Sequence, residues 1–309
     1  MVGRVSSFGQ QQLLIRSIFQ NQQALFEDQR QVSTGKRVDD FKGLAGDTGT
    51  ILGSRSFKSR IETYQQTIDT IRGKLNANDV QVGGILTAAE ELKENLQTVL
   101  ANGNAQGFSE LLEQTFRFSV NSLNTNIDGT YLFSGAETGT VPVNVSTLAE
   151  LDATEAAGST ADAFDNASIA FEARIADGVS LEFGLLASDV ATGFFDEMLA
   201  LYREDQATPF EGEITQPQFD FLQNALQSLT SSIEGLRLNQ VSNGLSFERL
   251  EVVDEQHADS VVFLETFIAD QEDVNIAEAV TRLNNDQVAL EASFQAISSL
   301  NQLTLLRFL

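Results

Sequence analysis

The chain has 309 residues, enough for two or more domains, and 42% of them are hydrophobic, enough for a sizeable core. A net charge of −25 argues against nucleic acid and anionic membrane as partners, because both repel a polyanion. No cysteine is present, which fits either a bacterial protein that never needed one or a secreted chain exported unfolded. Met1 to Gln12 lacks the apolar stretch and small-residue cleavage site of a secretory leader. No run of eighteen apolar residues suggests a transmembrane helix.

Residues 1–34 place Val5, Phe8, Ile15, Phe19 and Phe26 at steps of three, four or seven, with Gln12 and Gln22 filling the longer steps. That is a coiled-coil stripe, which needs a partner helix to bury it. Residues 1–60 hold nine Lys/Arg against five acids, so the start is basic while the rest carries −29. Eight glutamines before residue 35 fit a protein-facing helix better than a membrane or transit element. Ser33-Thr34-Gly35-Lys36 reads as a helix C-terminus, with Gly35 left-handed and basic residues on the dipole. Asp39-Asp40 read as solvated or capping charges, and Gly43, Gly46, Gly49 and Gly53 as a flexible turn, since no Gly-Lys-Ser/Thr follows.

From Phe57 to Val99 the steps are again four or three, through Ile61, Tyr64, Ile68, Ile71, Leu75, Asn78, Val82, Ile85, Ala89, Leu92 and Leu96. A helix over that stretch spans about 65 Å. A shorter helix is expected from Phe108 to Ile127, stopped by Gly129, with Thr130 to Gly135 as strand and turn. Val141, Val143 and Val145 alternate, as do Val179, Leu181, Phe183 and Leu185, which predicts strands. Residues 141–220 hold two basic residues against sixteen acids, so residues 141–190 read as a small, acidic, β-rich outer insertion.

Helix resumes around Thr192 to Tyr202, and Leu222 to Ile268 repeats the four-three rhythm. Four seam positions there are polar (Gln240, Asn243, Asp254 and His257), which suggests water or partner contacts. The phase slips near Asp270–Asn275, and Asn275 with Glu278 reads as a capping box. The last stripe is Ile276, Val280, Leu283, Leu290, Phe294 and Ile297, followed by Leu305 and Leu306.

The fold class is therefore mainly α: a long antiparallel coiled-coil-like helical rod with paired terminal helices and a small β-rich insertion domain. Residues 1–40 and 273–309 form the assembly core, 41–140 and 191–272 the rod, and 141–190 the outer domain. The expected assembly interface is Val5, Phe8, Ile15, Phe19, Phe26, Ile276, Val280, Leu283, Leu290, Phe294, Ile297, Leu305 and Leu306. Chemistry is sparse. His257 is the single histidine and sits on the seam, which disfavours zinc sites and His-activated nucleophiles. Glu272-Asp273 lacks the alternating oxygens of a calcium loop and reads as solvated or capping. No catalytic, cofactor or metal site is expected, and the chain is read as a non-enzyme.

Several motifs carry a family resemblance. Gln31-Val32-Ser33-Thr34-Gly35-Lys36-Arg37-Val38 resembles the leucine-serine-serine-glycine-lysine-arginine turn of bacterial flagellins and their relatives. Asp273 to Ala279, then Leu283 and Ala289 to Phe294, resembles the closing helix of that superfamily. Within it the hook–filament junction family, hook-associated protein 3, is most similar. Asp128 to Gly135 leading into Pro142, Leu181 to Asp189, and the tail Leu303 to Leu309 carry that likeness. The superfamily's Asp-Asp-Pro is replaced by Asp39-Asp40-Phe41-Lys42.

The resemblance covers residues 1–140 and 190–309. It implies a structural adaptor joining hook to filament, secreted through the flagellar type III route and located outside the cell. It also implies terminal helices that are largely disordered in the monomer and fold against neighbours. Its implied partners are hook-associated protein 1, flagellin, further copies of itself, the export apparatus and an export chaperone. No nucleic acid, membrane or cofactor is implied. Two alternatives stay open. One is filament flagellin, separated by the Phe308-Leu309 tail and Tyr131-Leu132-Phe133. The other is a ligand-binding or enzymatic module on residues 141–190, against which the single histidine and absent cysteine speak.

Overall fold

The computed structural model describes residues 3–38, 48–157 and 159–305. Asp39 to Asp47, with Gly43 and Gly46, lie outside them, as do Leu306 and the Phe308-Leu309 tail. The elements are α1 (Gly3–Thr34), α2 (Thr48–Asn102), α3 (Phe108–Leu123), β1 (Asn126–Ile127), β2 (Thr130–Tyr131), α4 (Leu148–Ala157), β3 (Phe171–Ala176), β4 (Val179–Phe183), α5 (Ala187–Ala207), α6 (Gln216–Glu272) and α7 (Ile276–Leu305). The mainly α class with small β pieces holds: the strands form two antiparallel two-stranded sheets, β1-β2 and β3-β4. The chain divides into two compact units, Met1–Ser59 with Ser260–Leu309, and Arg60–Asp259.

In the second unit, α2 and α6 run antiparallel and share one core. Val82, Ile85, Ala89, Leu92 and Leu96 of α2 and Leu222, Leu229, Ile233 and Leu236 of α6 are buried together at the expected steps. Phe108, Leu112, Phe116 and Val120 of α3 and Val190, Phe194, Phe195 and Met198 of α5 complete it. The polar seam positions bond within the chain, where the sequence suggested water or partners. Asn243 Nδ2 donates to the Leu75 carbonyl at 3.0 Å and Gln240 Nε2 to Asp79 at 3.1 Å. Asp254 accepts from Arg72 at 2.8 Å. His257 Nε2 donates to the Ile175 carbonyl at 2.7 Å and its ring stacks on Tyr64.

A second core in this unit places Ile175, Leu181 and Phe183 of the β3-β4 hairpin on Ile68, Ile71, Leu75 and Leu250 of the two long helices. Tyr64 Oη donates to Asp177 at the hairpin tip, 2.9 Å away, and Arg60 pairs with the same carboxylate.

The sequence and the structure part company between residues 123 and 192. α3 stops at Leu123, four residues early, because Asn124 turns its amide onto the Val143 main chain in both directions, at 2.9 Å each. That pairing supplies what a strand neighbour would, so Val141, Val143 and Val145 make one isolated bridge, Val143 to Phe164, and no strand. Val143 and Val145 are buried in the main core, which is what their alternation records. Helix α4 went unread because Leu148 and Leu151 are its only large apolar residues. Its start was legible: Thr147 Oγ1 accepts from the Glu150 amide, and the Glu150 carboxylate reaches back to Ser146 N. α5 begins at Ala187, five residues before the expected start.

Asp128-Gly129 form a two-residue hairpin loop with φ of 53° and 80°, the mirror-image turn that Asp-Gly favours. Gly135, at φ 64°, is more demanding. A Cβ there would lie 2.4 Å from the Ile169 carbonyl oxygen and 2.6 Å from Leu186 Cδ2. We expect Gly135→Ala to cost at least about 2 kcal/mol in urea unfolding. Gly129→Ala, whose Cβ meets open space, should cost about 1 kcal/mol.

Glu197 of α5 is half-buried, and desolvation foremost pushes its carboxyl up to about 6, with Asp196 adding and a Ser228 hydrogen bond opposing. A raised acid favours the fold in its protonated form, fully below the unfolded value near 4.5 and progressively less as pH rises through about 6. Glu197→Gln should therefore leave stability unchanged at pH 4.5. At pH 7.5 it should stabilise the chain by less than about 1 kcal/mol, after discounting for solvent screening at a half-exposed group.

Candidate assembly interface

The described residues hold no cluster of three or more His, Asp or Glu arranged to grip a metal ion. His257, the one histidine, spends its Nε2–H on a main-chain carbonyl inside the second unit. Residues 141–190 contribute to an open groove of about 390 Å³, between the β3-β4 hairpin and α6. Its walls are Ile175, Val179, Leu181, Val252 and Val253, with Glu248 and Arg249 among its lining. It has no converging set of polar groups of the kind that orients a small ligand.

The terminal helices carry more information. α1 and α7 lie antiparallel inside the first unit: Asn21 Nδ2 donates to Ser293 Oγ at 3.3 Å, and Arg282 donates to Asp28 at 3.3 Å and Gln31 at 2.9 Å. α1 ends where Gly35 takes φ 70° and returns its amide to the Gln31 carbonyl. α7 starts at Asn275, whose Oδ1 accepts from the amides of Ala277 and Glu278. The expected box is half made, because the Glu278 carboxylate turns to Arg282 instead.

The face α1 turns toward α7 is not the stripe singled out from sequence. Leu14, Ile18, Asn21, Leu25, Asp28 and Val32 are buried or half-buried, stepping four-three-four-three-four. On α7 the matching series is Ala279, Leu283, Asp286, Leu290, Ser293 and Ile297. The aromatic stripe of α1 points away: Ile15 is exposed, Phe19 is 63% exposed and Phe26 70%. α7 splits its predicted set. Leu283, Leu290 and Ile297 face inward, whereas Ile276, Val280 and Phe294 are exposed. Val5 and Phe8 fall on α1, Leu305 closes α7, and Leu306 lies outside the described residues. Leu13 and Val288, not anticipated, add exposed apolar surface to the two helices.

Two interleaved four-three rhythms coexist on α1. The inward one contains Asn21 and Asp28, so apolar counting favours the outward one, Ile15-Phe19-Phe26. A signal for the inward rhythm was present in Leu14, Ile18, Leu25 and Val32.

Charge is split between the units. The first holds ten Lys/Arg against twelve Asp/Glu, a net of −2, while the second holds nine against thirty-two, a net of −23. The nearly neutral unit is thus the one whose terminal helices expose aromatic side chains. Among the described residues no helix is long and apolar enough to cross a membrane.

Comparison with known sequence families and with curated proteins finds no match to this chain. Solved structures do match in fold. A flagellar hook-associated protein from Vibrio parahaemolyticus superposes with a TM-score of 0.59 at 16% identity, covering 72% of this chain and 96% of that one. FlgL from Bacillus cereus superposes with a TM-score of 0.55 at 13% identity, covering 70% of this chain and 98% of that one. The chain has the fold seen in these flagellar hook-associated structures.

Proposed function

We propose that this chain is a structural subunit of the bacterial flagellum, an adaptor joining hook to filament that assembles through its terminal helices and catalyses no reaction. The observation that carries the reading is the aromatic stripe of α1, which remains exposed after α1 has paired with α7. A soluble subunit has little reason to keep phenylalanines in heptad rhythm facing water unless another helix covers them. The fold shared with hook-associated structures supports the flagellar setting.

Charge favours a particular mate for the stripe. As a whole α1 carries Arg4, Arg16 and Arg30 against Glu27 and Asp28, while α7 carries Glu278, Asp286 and Glu291 against Arg282, so the two helices are of opposite net sign. α1 of one copy against α7 of the next is a head-to-tail contact, of the kind that closes a finite ring of subunits where the rotation between copies permits. In this reading residues 1–40 and 273–309 are the assembly core and 41–140 with 191–272 the helical body. Residues 141–190 then present the acidic outer surface. Hook-associated protein 1 and flagellin are the neighbours on either side, and an export chaperone and the flagellar export apparatus handle the chain before it reaches the cell exterior.

Seeded assembly tests this. Purified chain should stay short on its own yet cap hook fragments that end in hook-associated protein 1, as seen by sedimentation and electron microscopy. Growth of long filaments from flagellar seeds would make it a filament flagellin instead. Phe19→Asp with Phe26→Asp should abolish capping while changing unfolding stability by less than about 0.5 kcal/mol, since both side chains already face solvent. Because each copy carries a unit of net −23, capping should speed up as salt rises from 20 to roughly 200 mM, as screening shortens the range of repulsion.

A further inference from the structure

We infer that the outer edge of β4, with the groove beside it, takes an added strand: an extended basic segment of a partner protein in which apolar residues alternate with lysine or arginine. The hairpin is a sheet of two strands, so each strand has one edge without a ladder neighbour. The two edges differ. On β3 the register shifts between Arg174 and Ala176, which leaves Ile175 as an extra residue. Its carbonyl accepts from His257, and the Ala176 carbonyl accepts from Arg174 Nε at 3.2 Å. A bulge blunts a strand edge against further pairing. β4 has no bulge, proline or lysine, and among the described residues no main-chain group of Val179–Phe183 bonds outside the hairpin.

Three successive residues of β4, Val179, Ser180 and Leu181, line the groove, opposite Glu248, Arg249, Val252 and Val253 of α6. Successive residues of a strand point to opposite faces, so a groove touches all three only along the strand's edge. Its volume of about 390 Å³ falls within the range of roughly 300–1,000 Å³ typical of ligand pockets. Val179 and Val252 are 46% and 51% exposed, so its apolar walls are open to an incoming side chain. Unused amides and carbonyls beside apolar walls suit a main chain running alongside β4 with every second side chain pointing in.

Charge selects the segment. On the exposed face of the hairpin Glu172 stands directly opposite Glu182, and neither makes an ion pair among the described residues. Like charges opposite one another destabilise a sheet, and a third strand beside β4 relieves this one by setting a lysine next to Glu182. In that register its apolar residues fall beside Leu181 and Val179. Glu248 and Arg249 offset one another in the groove. The unit as a whole, with nine Lys/Arg against thirty-two Asp/Glu, attracts a basic segment and repels a second copy of itself.

The test is fluorescence anisotropy of a labelled Lys-Val-Lys-Val-Lys-Val-Lys amide with the full chain, at protein concentrations too low to assemble. Salt of about 150 mM screens attraction beyond roughly 8 Å. Saturable binding is expected. N-methylation of all the valines, or of all the lysines, leaves the peptide's charge unchanged. Alternate amides of a strand point to opposite sides, so one methylated peptide should bind at least about tenfold more weakly and the other within about threefold of the parent. Exchanging the lysines for glutamate should weaken binding at least about tenfold. On the chain, Val252→Lys and Glu182→Lys, both at exposed positions, should each weaken it about tenfold and leave the circular dichroism unchanged.

Equal binding of the two methylated peptides reduces the contact to charge attraction and overturns the inference, as does binding untouched by Val252→Lys. A glutamate peptide that binds as well as the lysine one overturns the stated partner chemistry. Self-association of the chain that Val252→Lys abolishes, with no peptide binding, assigns the groove to a second copy and overturns it as well. None of these readouts involves hook or filament, so the proposed function stands or falls separately.

Discussion

The antiparallel seam between α2 and α6 is the constraint on which the rest of the second unit depends. One stretch is hydrocarbon, from Val82 to Val99 against Leu222 to Leu236, and it supplies cohesion without much preference for register. The neighbouring stretch is polar, with Asn78 and Asn243 almost fully buried, Gln240 on Asp79 and Arg72 on Asp254. Each such contact has a single geometry, so together they admit one alignment of the helices. The carbonyl oxygens of Asn78 and Asn243 find no partner among the described residues, which makes this layer costly as well as selective. The β3-β4 hairpin lies over the polar stretch, where His257 and Tyr64 grip its backbone and tip. α3 and α5 pack on the hydrocarbon stretch, where no polar match is required.

The partition of charge follows a related logic. Nearly all of the net −25 sits on the unit that completes its own core, and almost none on the unit that exposes phenylalanine. That placement leaves the unit with the exposed phenylalanines at a net of −2. In the proposed assembly, copies of that unit approach one another with little long-range repulsion. Even within the acidic unit some charge is neutralised locally, as where Arg203 bridges Asp152 and Glu155 and the arginine is held above its ordinary value by those two hydrogen bonds.

Legibility in the sequence tracked how much one short-range rule decides. The long helices were visible because a single stripe runs through each: Ile61, Ile68, Ile71 and Leu75 are buried where the rhythm put them, although Phe57 at its start is exposed. The hairpin strand Val179–Phe183 was visible by alternation. Val141 to Val145 alternate just as well and form no strand, because whether an alternating segment becomes one depends on what lies beside it, here the side chain of Asn124. On α1 the aromatic rhythm was legible, but its destination was not. Periodicity says that a face must be covered and leaves open by whom. Glu272 was misread for the same kind of reason: burial of an acid is decided by Arg55, 217 positions away in the chain.

The two units differ in the chemistry along their helix seams. Between α2 and α6 the polar layer combines amides with an ion pair, Asn243 on the Leu75 carbonyl and Arg72 on Asp254, beside a stretch thick with hydrocarbon. At the start of the terminal pair the seam is thin, and an ionic contact, Glu272 with Arg55 and Lys36, sits where both cations keep access to water while the carboxylate is enclosed. Such a contact adds little net stability, because the gain in attraction is largely offset by the desolvation of Glu272. The terminal pair leaves Ile15, Phe19 and Phe26 of α1 exposed, the face that a neighbour covers in the proposed assembly. On that proposal, part of the stability of these two helices comes from the subunit that covers them.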